Sequence, residues 1–299
     1  MQPFDAGKPA RFQNVLLATD FSAASENALL HCLALARRWK MRLIMAHVVN
    51  PSAIFGQEAV QRAVNDAWRE AHSKLTDQLV AGRLEGIESQ VIVRQGETWE
   101  QLAAMIKEFQ IDLLVTGTRG RSGVWKMLLG STAEKIFRLS PVPVLTVGPK
   151  VQLQEMANGA KRILYATGFA RQSLYAGGFA LWLAERNQAR LAMLNVISGV
   201  PNDAESTREQ LKHEARKRLH ELIPSEAKLC AEPELMVEFG SAAETILNVA
   251  EGWRPDLIVL GLRRRQSMDD QRLSGITAYN VVCNAPCPVL TIRAPETTA

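Results

Sequence analysis

The chain contains one sequence pattern twice, and this repetition limits its fold more than any other feature. NVLLATDFS, which begins at Asn14, matches RILYATGFA from Arg162, and PVPVLTV from Pro141 matches PCPVLTI from Pro286. Matches that keep nearly constant spacing over many segments indicate two copies of one domain and not a solenoid of short repeats. We therefore predict a first domain at 1–150, a polar linker at 151–160 and a second domain at 161–299.

Each copy alternates short apolar runs with segments of helical periodicity. The strands expected in the first copy lie near 13–19, 42–49, 89–94, 111–117 and 142–148. Runs such as LLVTG and PVLTV are apolar without alternation, which is typical of strands buried on both faces. Alternating strands and helices favour right-handed crossovers and parallel sheets. The predicted fold class is α/β, with two tandem doubly wound domains, each a five-stranded parallel sheet flanked by helices.

The segment GTRGRSGVWKMLLGST, from Gly117 to Thr132, leaves the fourth predicted strand and carries four glycines. Glycine allows a ligand to approach the backbone closely, so the segment is a candidate phosphate cradle. Arg119 and Arg121 could offset a phosphate charge, and Ser131 and Thr132 would open a helix whose N-terminus favours an anion.

A second segment, the end of the first strand, is expected beside this loop. Ligands of doubly wound domains lie outside the carboxyl ends of the strands, where neighbouring connections part, here between strands one and four. Asp20 at that position could accept hydrogen bonds from ribose hydroxyls.

Both segments also allow interpretations without a ligand. Ser131 followed by Glu134 fits a capping box. Asp20 could orient a turn or cap the next helix, and loop arginines are usually solvated. The spacing alone leaves both interpretations open.

Several other classes of protein are disfavoured. The chain has no GxxxxGK[ST], no GxGxxG after the first strand and no GxSxG, and its five histidines form no metal-ligand pattern. No catalytic residue is therefore predicted. A net charge of +4 makes a nucleic-acid partner unlikely. The start lacks a signal-peptide pattern and no run reaches the ~18 apolar residues of a membrane span, so we expect a cytoplasmic protein without a membrane partner.

The four-point pattern Gly117, Gly120, Gly130 and Ser131 matches the ATP-binding signature G-x2-G-x9-G-[ST] of universal stress proteins. VLLATDFS and PVPVLTV also resemble the family. Together with their second copies, these features cover nearly all of both halves. The chain thus resembles a tandem universal stress protein of the kind related to the bacterial E-type.

The resemblance implies a nucleotide site in the first half. It implies that Asp20 contacts the ribose, that Thr19 flanks the sugar and that Val48 lines the adenine pocket. The residues implied for the phosphates are Gly117, Arg119, Gly120, Gly130, Ser131 and Thr132. The implied ligand is ATP, or ADP or AMP, and a magnesium ion often accompanies the phosphates; no metal ligands are assigned. Hydrolysis would be slow at most.

The resemblance also bears on assembly, because universal stress domains commonly dimerise through the last strand. The two halves are expected to pair in this way as a pseudo-dimer, and a homodimer of chains stays open.

The second copy departs from the signature. Gly168 replaces Asp20, Arg264 replaces Gly120 and Ile276 replaces Ser131. We predict that this half does not bind ATP in the family's way. Its arginine run at 263–265 is either solvated or a site for another anion or an acidic partner.

Two functions follow as hypotheses. The first is a regulatory nucleotide-sensing protein of the stress response, whose second half is structural or binds an unknown protein partner. The alternative is an interaction or dimerisation protein that needs no nucleotide. A catalytic ATPase is the least favoured third.

Overall fold

The computed structural model describes residues 12–50, 57–118, 129–151, 159–200, 205–262 and 274–295. The chain divides into two compact units, which comprise Ala10–Pro149 and Lys150–Ala299 within the described parts.

The first unit is a parallel sheet whose strands alternate with helices. Its elements are β1 (Asn14–Ala18), α1 (Ala23–Trp39), β2 (Arg42–Val49), α2 (Gln57–Val80), β3 (Ser89–Gln95), α3 (Thr98–Glu108), β4 (Leu113–Gly117), α4 (Ser131–Leu139) and β5 (Val144–Val147). The strand order is β3-β2-β1-β4-β5, and every pairing in it is parallel. The chain therefore winds to one side from β1 and then to the other, so the switch point lies between β1 and β4, as expected.

The second unit repeats this topology. Its elements are β6 (Arg162–Ala166), α5 (Arg171–Asn187), β7 (Arg190–Ile197), α6 (Glu205–Glu221), β8 (Glu234–Phe239), α7 (Ala242–Trp253), β9 (Leu257–Leu262), α8 (Ser274–Asn284) and β10 (Val289–Arg293). The order β8-β7-β6-β9-β10 is again parallel throughout. The predicted fold class is confirmed.

The central strands form the core because helices cover both faces of each sheet. In the first unit, Leu16 of β1, Ile44 of β2 and Leu114 of β4 are fully buried and belong to one apolar cluster with Leu102 of α3 and Ile136 of α4. Strands covered on both sides need apolar residues at consecutive positions, which accounts for the runs without alternation.

An aspartate at the start of β4 ties that strand to the start of β1. The Asp112 carboxylate accepts hydrogen bonds from the backbone N–H groups of Gln13 at 2.7 Å and Asn14 at 3.2 Å. Burial raises the pKa of Asp112, and these backbone bonds oppose the shift because they favour the charged form. Asp256 makes the same contacts with the N–H groups of Lys161 and Arg162, at 2.6 and 2.8 Å. Both copies therefore share this clamp, in which an aspartate carboxylate accepts hydrogen bonds from two backbone N–H groups at the start of the neighbouring strand.

One histidine lies in the core of the first unit. His31 on α1 is 1% exposed, and neither ring nitrogen has a hydrogen-bond partner among the described residues. Burial lowers its pKa to about 4, because the imidazolium form loses its hydration. The aligned residue of the second copy is Phe179, which is also buried. The buried imidazole is therefore neutral near pH 7 and destabilises the fold through two uncompensated polar atoms.

Replacing His31 with leucine is expected to raise the free energy of unfolding by about 1–3 kcal/mol, since it removes both uncompensated nitrogens. The folded-state pKa of about 4 lies below the unfolded value, so the unfolded chain binds the proton first as the pH falls. Wild-type stability should therefore fall as the pH drops from about 6.5 towards about 4, and the variant should lose this part of the pH dependence. Urea unfolding curves across this range measure both effects.

The control is His213→Gln, at an exposed histidine of α6, which should keep the wild-type pH dependence. A His31→Leu variant whose stability falls as steeply with pH as the wild type would contradict this assignment.

Candidate functional site

A pocket of about 300 Å³ lies at the carboxyl ends of β1, β2 and β4. Seven of the nine residues predicted for the site line it, namely Thr19, Asp20, Val48, Gly117, Gly130, Ser131 and Thr132. The other two, Arg119 and Gly120, lie outside the described residues. The pocket thus brings together side chains that the sequence places more than a hundred positions apart.

The parallel sheet brings these segments together. Ala18, the last residue of β1, lies opposite Ala46 of β2 and Thr116 of β4, so all three strands end at the same edge. The start of α4 is tied to this edge as well. The Gly130 N–H donates to the Thr118 carbonyl at 3.0 Å, and the Thr118 N–H donates to the Val147 carbonyl of β5 at 3.1 Å. The N-terminus of α4 therefore lies beside the end of β4.

Asp20 lies in the turn between β1 and α1 and has a structural contact of its own. Its Oδ1 accepts the Ser22 N–H at 3.1 Å and the Ser25 hydroxyl at 2.5 Å. Ser22 is the residue that caps α1, because its side chain accepts the Ser25 N–H. Asp20 therefore orients the turn but does not cap the helix. The same bonds orient its carboxylate in the pocket wall.

The turn itself has an unusual backbone. Phe21 has a φ of 61°, in the left-handed region that a bulky side chain rarely adopts. Two contacts hold it: the Thr19 hydroxyl oxygen accepts the Phe21 N–H at 3.1 Å, and His47 Nδ1 lies 2.7 Å from the Thr19 carbonyl oxygen. The Phe21 ring also lies against the His47 ring, with 4.8 Å between centroids.

The second copy keeps this turn without the aspartate. Phe169 has a φ of 60°, and its N–H donates to the Thr167 hydroxyl oxygen at 3.0 Å. The Asn195 side-chain amide donates to the Thr167 carbonyl at 2.8 Å, where the first copy uses His47. The strained turn is therefore a property of the domain, and Asp20 is what the first copy adds to it.

The capping-box interpretation of Ser131 is wrong. The N-cap of α4 is Gly130, whose carbonyl accepts the Glu134 N–H at 2.8 Å, and Ser131 is already the first helical residue. Gly130 has no side-chain oxygen, so it cannot accept a hydrogen bond from the first turn as a serine cap would. Its φ of −60° is accessible to any residue, so the backbone conformation does not require glycine. The helix N-terminus thus faces the pocket without a side-chain cap.

Four further polar residues of the wall were not predicted as site residues: Ser25, His47, Thr98 and Thr116. Thr98 is the first residue of α3, and its place in the wall depends on how α3 packs against the sheet. His47, near the end of β2, contacts both Thr19 and Phe21. Ser25 gave a weak local signal, a hydroxyl at the start of a helix shortly after Asp20.

The second unit has a pocket of about 330 Å³ in the corresponding position. Thr167, Gly168, Val196 and Gly261 line it, where the first copy has Thr19, Asp20, Val48 and Gly117. The arginine run at 263–265, which includes the predicted Arg264, lies outside the described residues. Ile276 lies in the first turn of α8.

Gly261, the counterpart of Gly117, is required by packing. A Cβ at this position would lie 2.4 Å from the Gln172 carbonyl oxygen and 2.5 Å from the Ser173 Cα, both in the first turn of α5. No side chain fits at such distances. Glycine at this point of the second unit therefore lets α5 approach β9, a function that needs no phosphate.

Within the described ranges, no three residues among His, Cys, Asp and Glu come together as a metal-binding group. No helix of the described chain is long and apolar enough to cross a membrane. Cys32, Cys283 and Cys287 are buried, and Cys230 is exposed.

Comparisons with known proteins agree on one family. The family model described as "Universal stress protein family" matches residues 11–148 and again 159–293. The universal stress protein YxiE of Bacillus subtilis is 30% identical over 146 residues, which are 46% of this chain and 99% of that protein. MJ0577 of Methanocaldococcus jannaschii is 25% identical over 157 residues, covering 46% of this chain and 96% of that one.

A solved universal stress protein from Archaeoglobus fulgidus covers both halves. It matches 95% of this chain and 99% of its own, with a TM-score of 0.68 at 20% identity. At this identity the match supports the fold alone.

Substituting Gly261 with alanine is expected to destabilise the chain by about 1–3 kcal/mol or more, because the methyl group would collide with backbone atoms of α5. The matched control is Gly252→Ala on α7, where a Cβ meets no atom within 4 Å. Alanine in a helix there should be neutral or stabilise by about 0.5–1 kcal/mol. Urea denaturation of both variants measures the difference, and equal midpoints would refute the packing role.

Proposed function

The chain belongs to the universal stress protein family in both of its halves, and from this membership we propose that its first domain binds an adenine nucleotide, ATP or ADP or AMP. The protein would act as a nucleotide sensor of the stress response. One observation supports the proposal most: the 300 Å³ pocket collects Asp20, Val48, Gly117 and the N-terminus of α4 on one wall. Its volume lies at the lower end of the ~300–1,000 Å³ of small-molecule sites.

The nucleoside would occupy the side of the pocket formed by β1 and β2. Val48 would supply apolar contact to the adenine ring. The Asp20 carboxylate, held by Ser22 and Ser25, would accept hydrogen bonds from ribose hydroxyls. Because the carboxylate is already oriented, little conformational entropy would be lost when the sugar binds.

The phosphates would lie at the N-terminus of α4. The N–H groups and hydroxyls of Ser131 and Thr132 can donate to phosphate oxygens, and the helix dipole adds about 0.3–1 kcal/mol for an anion. At the cap position, Gly130 has no side chain to obstruct this approach. Arg119 and Gly120 complete the proposed phosphate contacts on the basis of the signature in the sequence. A magnesium ion, if it accompanies the nucleotide, would be held chiefly by the phosphates, and no protein ligand is assigned to it.

We propose a regulatory rather than a catalytic use of this site. Asp20 is the only carboxylate in the described wall, and its ribose contact would leave it unavailable as a general base. Hydrolysis is therefore expected to be slow at most. A sensor needs a partner that binds the occupied and empty states with different affinity. That partner would be a protein, and the second domain would be structural or contribute to its binding.

Calorimetric titration of nucleotide-stripped protein with ATP and magnesium should show one saturable site per chain, in the first domain. Gly130→Val should weaken binding about tenfold or more, because the side chain would enter the space of the phosphates. Gly252→Val, an equal change at an open position of α7, should leave the affinity unchanged. Circular dichroism melting of each variant checks the fold. Absence of saturable binding would refute the proposal and favour a nucleotide-independent interaction protein. Two equal sites per chain would instead refute the prediction that the second domain does not bind ATP.

Asp20→Asn tests the sugar contact. The amide keeps an oxygen for the Ser22 N–H but loses the charge, so the ribose bond should weaken by about 1–2 kcal/mol. The same variant should bind 2′,3′-dideoxy-ATP, which has no ribose hydroxyls, as well as the wild type does. An equal loss for both nucleotides would show that Asp20 acts on the fold of the site and not on the sugar.

A further inference from the structure

The pocket of the second domain has kept its position and size while losing several of the polar side chains of the first. The two cavities measure about 300 and 330 Å³. The correspondence between their walls follows from backbone register. Ala18 pairs with Ala46 and Thr116, whereas Ala166 pairs with Leu194 and Leu260.

Four of the differences that register or alignment defines in this wall replace a polar or small side chain with a less polar or larger apolar one. Gly168 replaces Asp20, Leu260 replaces Thr116 and Leu194 replaces Ala46. A fourth exchange occurs at the first residue of the helix that follows the edge strand, which is α3 in the first unit and α7 in the second. In both copies a glycine at positive φ lies just before this helix. There Ala242 replaces Thr98.

The polar groups that remain in the second wall are largely bonded within the protein. The Thr167 hydroxyl oxygen accepts the Phe169 N–H at 3.0 Å, and the Thr167 carbonyl accepts the Asn195 amide at 2.8 Å. The Ser173 hydroxyl donates to the Ala170 carbonyl at 2.7 Å, whereas its counterpart in the first copy donates to the aspartate. These bonds occupy one acceptor site of each Thr167 oxygen and the donor of Ser173, which reduces what these groups offer to a polar ligand.

The described wall of the second pocket has no ionisable side chain. Arg218 lies outside the lining, with its guanidinium 4.0 Å from the Phe169 ring. Two neutral residues of the lining, Gln172 and Thr277, make no side-chain hydrogen bond to a described residue. The wall therefore offers apolar contact and at most a few neutral hydrogen bonds.

We propose that the second domain is a binding site for an uncharged, mainly apolar small molecule, distinct in chemical class from the nucleotide of the first domain. Placing a phosphate or a sugar against this wall would desolvate polar groups without replacing their hydrogen bonds, which costs free energy. An apolar body of matching size gains from leaving water instead. The site would give one chain two ligands of different chemistry, and it does not depend on whether the first pocket binds a nucleotide.

The probe for this site is N-phenyl-1-naphthylamine, an uncharged aromatic fluorophore whose emission rises in apolar surroundings. The full chain, with ATP and magnesium present in excess, should bind it saturably with one site per chain. Its sulfonated relative 8-anilino-1-naphthalenesulfonate has nearly the same rings with a negative charge, and we expect it to bind at least about tenfold more weakly.

Gly168→Leu is the variant that fills the pocket. A Cβ at Gly168 meets no atom within 4 Å, so the side chain can enter the cavity without displacing the backbone. The affinity for the neutral probe should fall by about tenfold or more. Gly252→Leu makes the same exchange at an equally open position outside the pocket and should leave the affinity unchanged. Gly168→Asp returns the carboxylate of the first copy and should also weaken the neutral probe.

Three results would overturn the proposal. The first is absence of saturable binding of the neutral probe. The second is equal affinity for the neutral and the sulfonated probe. The third is binding that both Gly168 variants leave unchanged while their melting curves match the wild type. If the wild-type chain bound the neutral probe but showed no ATP binding in the calorimetric titration, the nucleotide site would be refuted and the apolar site would stand.

Discussion

The parallel pairing of β1 with β4 is the constraint on which the rest of each domain depends. It makes β1 central, so that the chain leaves it towards β2 on one side and returns to β4 on the other. The clamp from Asp112 to the start of β1 holds this pairing at the amino end. At the opposite end, the same pairing places the turn after Ala18 beside the start of α4. The pocket follows from the sheet order and needs no special loop to create it.

The duplication separates what the scaffold requires from what a ligand requires. Both copies keep the threonine that holds the turn, the phenylalanine at positive φ and a side-chain donor to the threonine carbonyl. These contacts form the cavity. Asp20, Thr98 and Thr116 occur in the first copy alone, and they determine which chemistry the cavity can hold. A glycine shared by both copies is therefore weaker support for a nucleotide site than Asp20, because Gly261 has a steric function in the copy without the aspartate.

Much of the architecture could be predicted from the sequence, because the apolar runs that mark strands and the spacing of the glycine signature are both local features of the chain. Apolar runs without alternation marked the buried strands, and the observed strands begin and end within about two residues of the predicted ones. The signature spacing likewise predicts Gly117, Gly130 and Ser131 as site residues, and all three line the pocket. The helix cap was predicted wrongly, since Ser131 and Glu134 have the right spacing but the chain enters the helix one residue earlier, at Gly130.

Thr98 and Ser25 could not be found from spacing, because their positions depend on how helices pack against the sheet. The low polarity of the second pocket could not be predicted from the sequence for the same reason. Its lining includes Leu194, Leu260 and Ala242, which lie far apart in sequence and come together only in the folded sheet.

The contact between His47 and the Thr19 carbonyl determines which ring nitrogen of His47 carries the proton. A carbonyl oxygen can only accept, so the imidazole must carry a hydrogen at Nδ1, and its neutral form is held in a single tautomer. A second proton would therefore be taken up at Nε2, which leaves the bond to Thr19 in place. Asn195 makes the corresponding bond in the second domain, and its side-chain amide is not ionisable. The two domains therefore hold the same backbone turn with side chains of different acid–base chemistry, an imidazole in the first and an amide in the second.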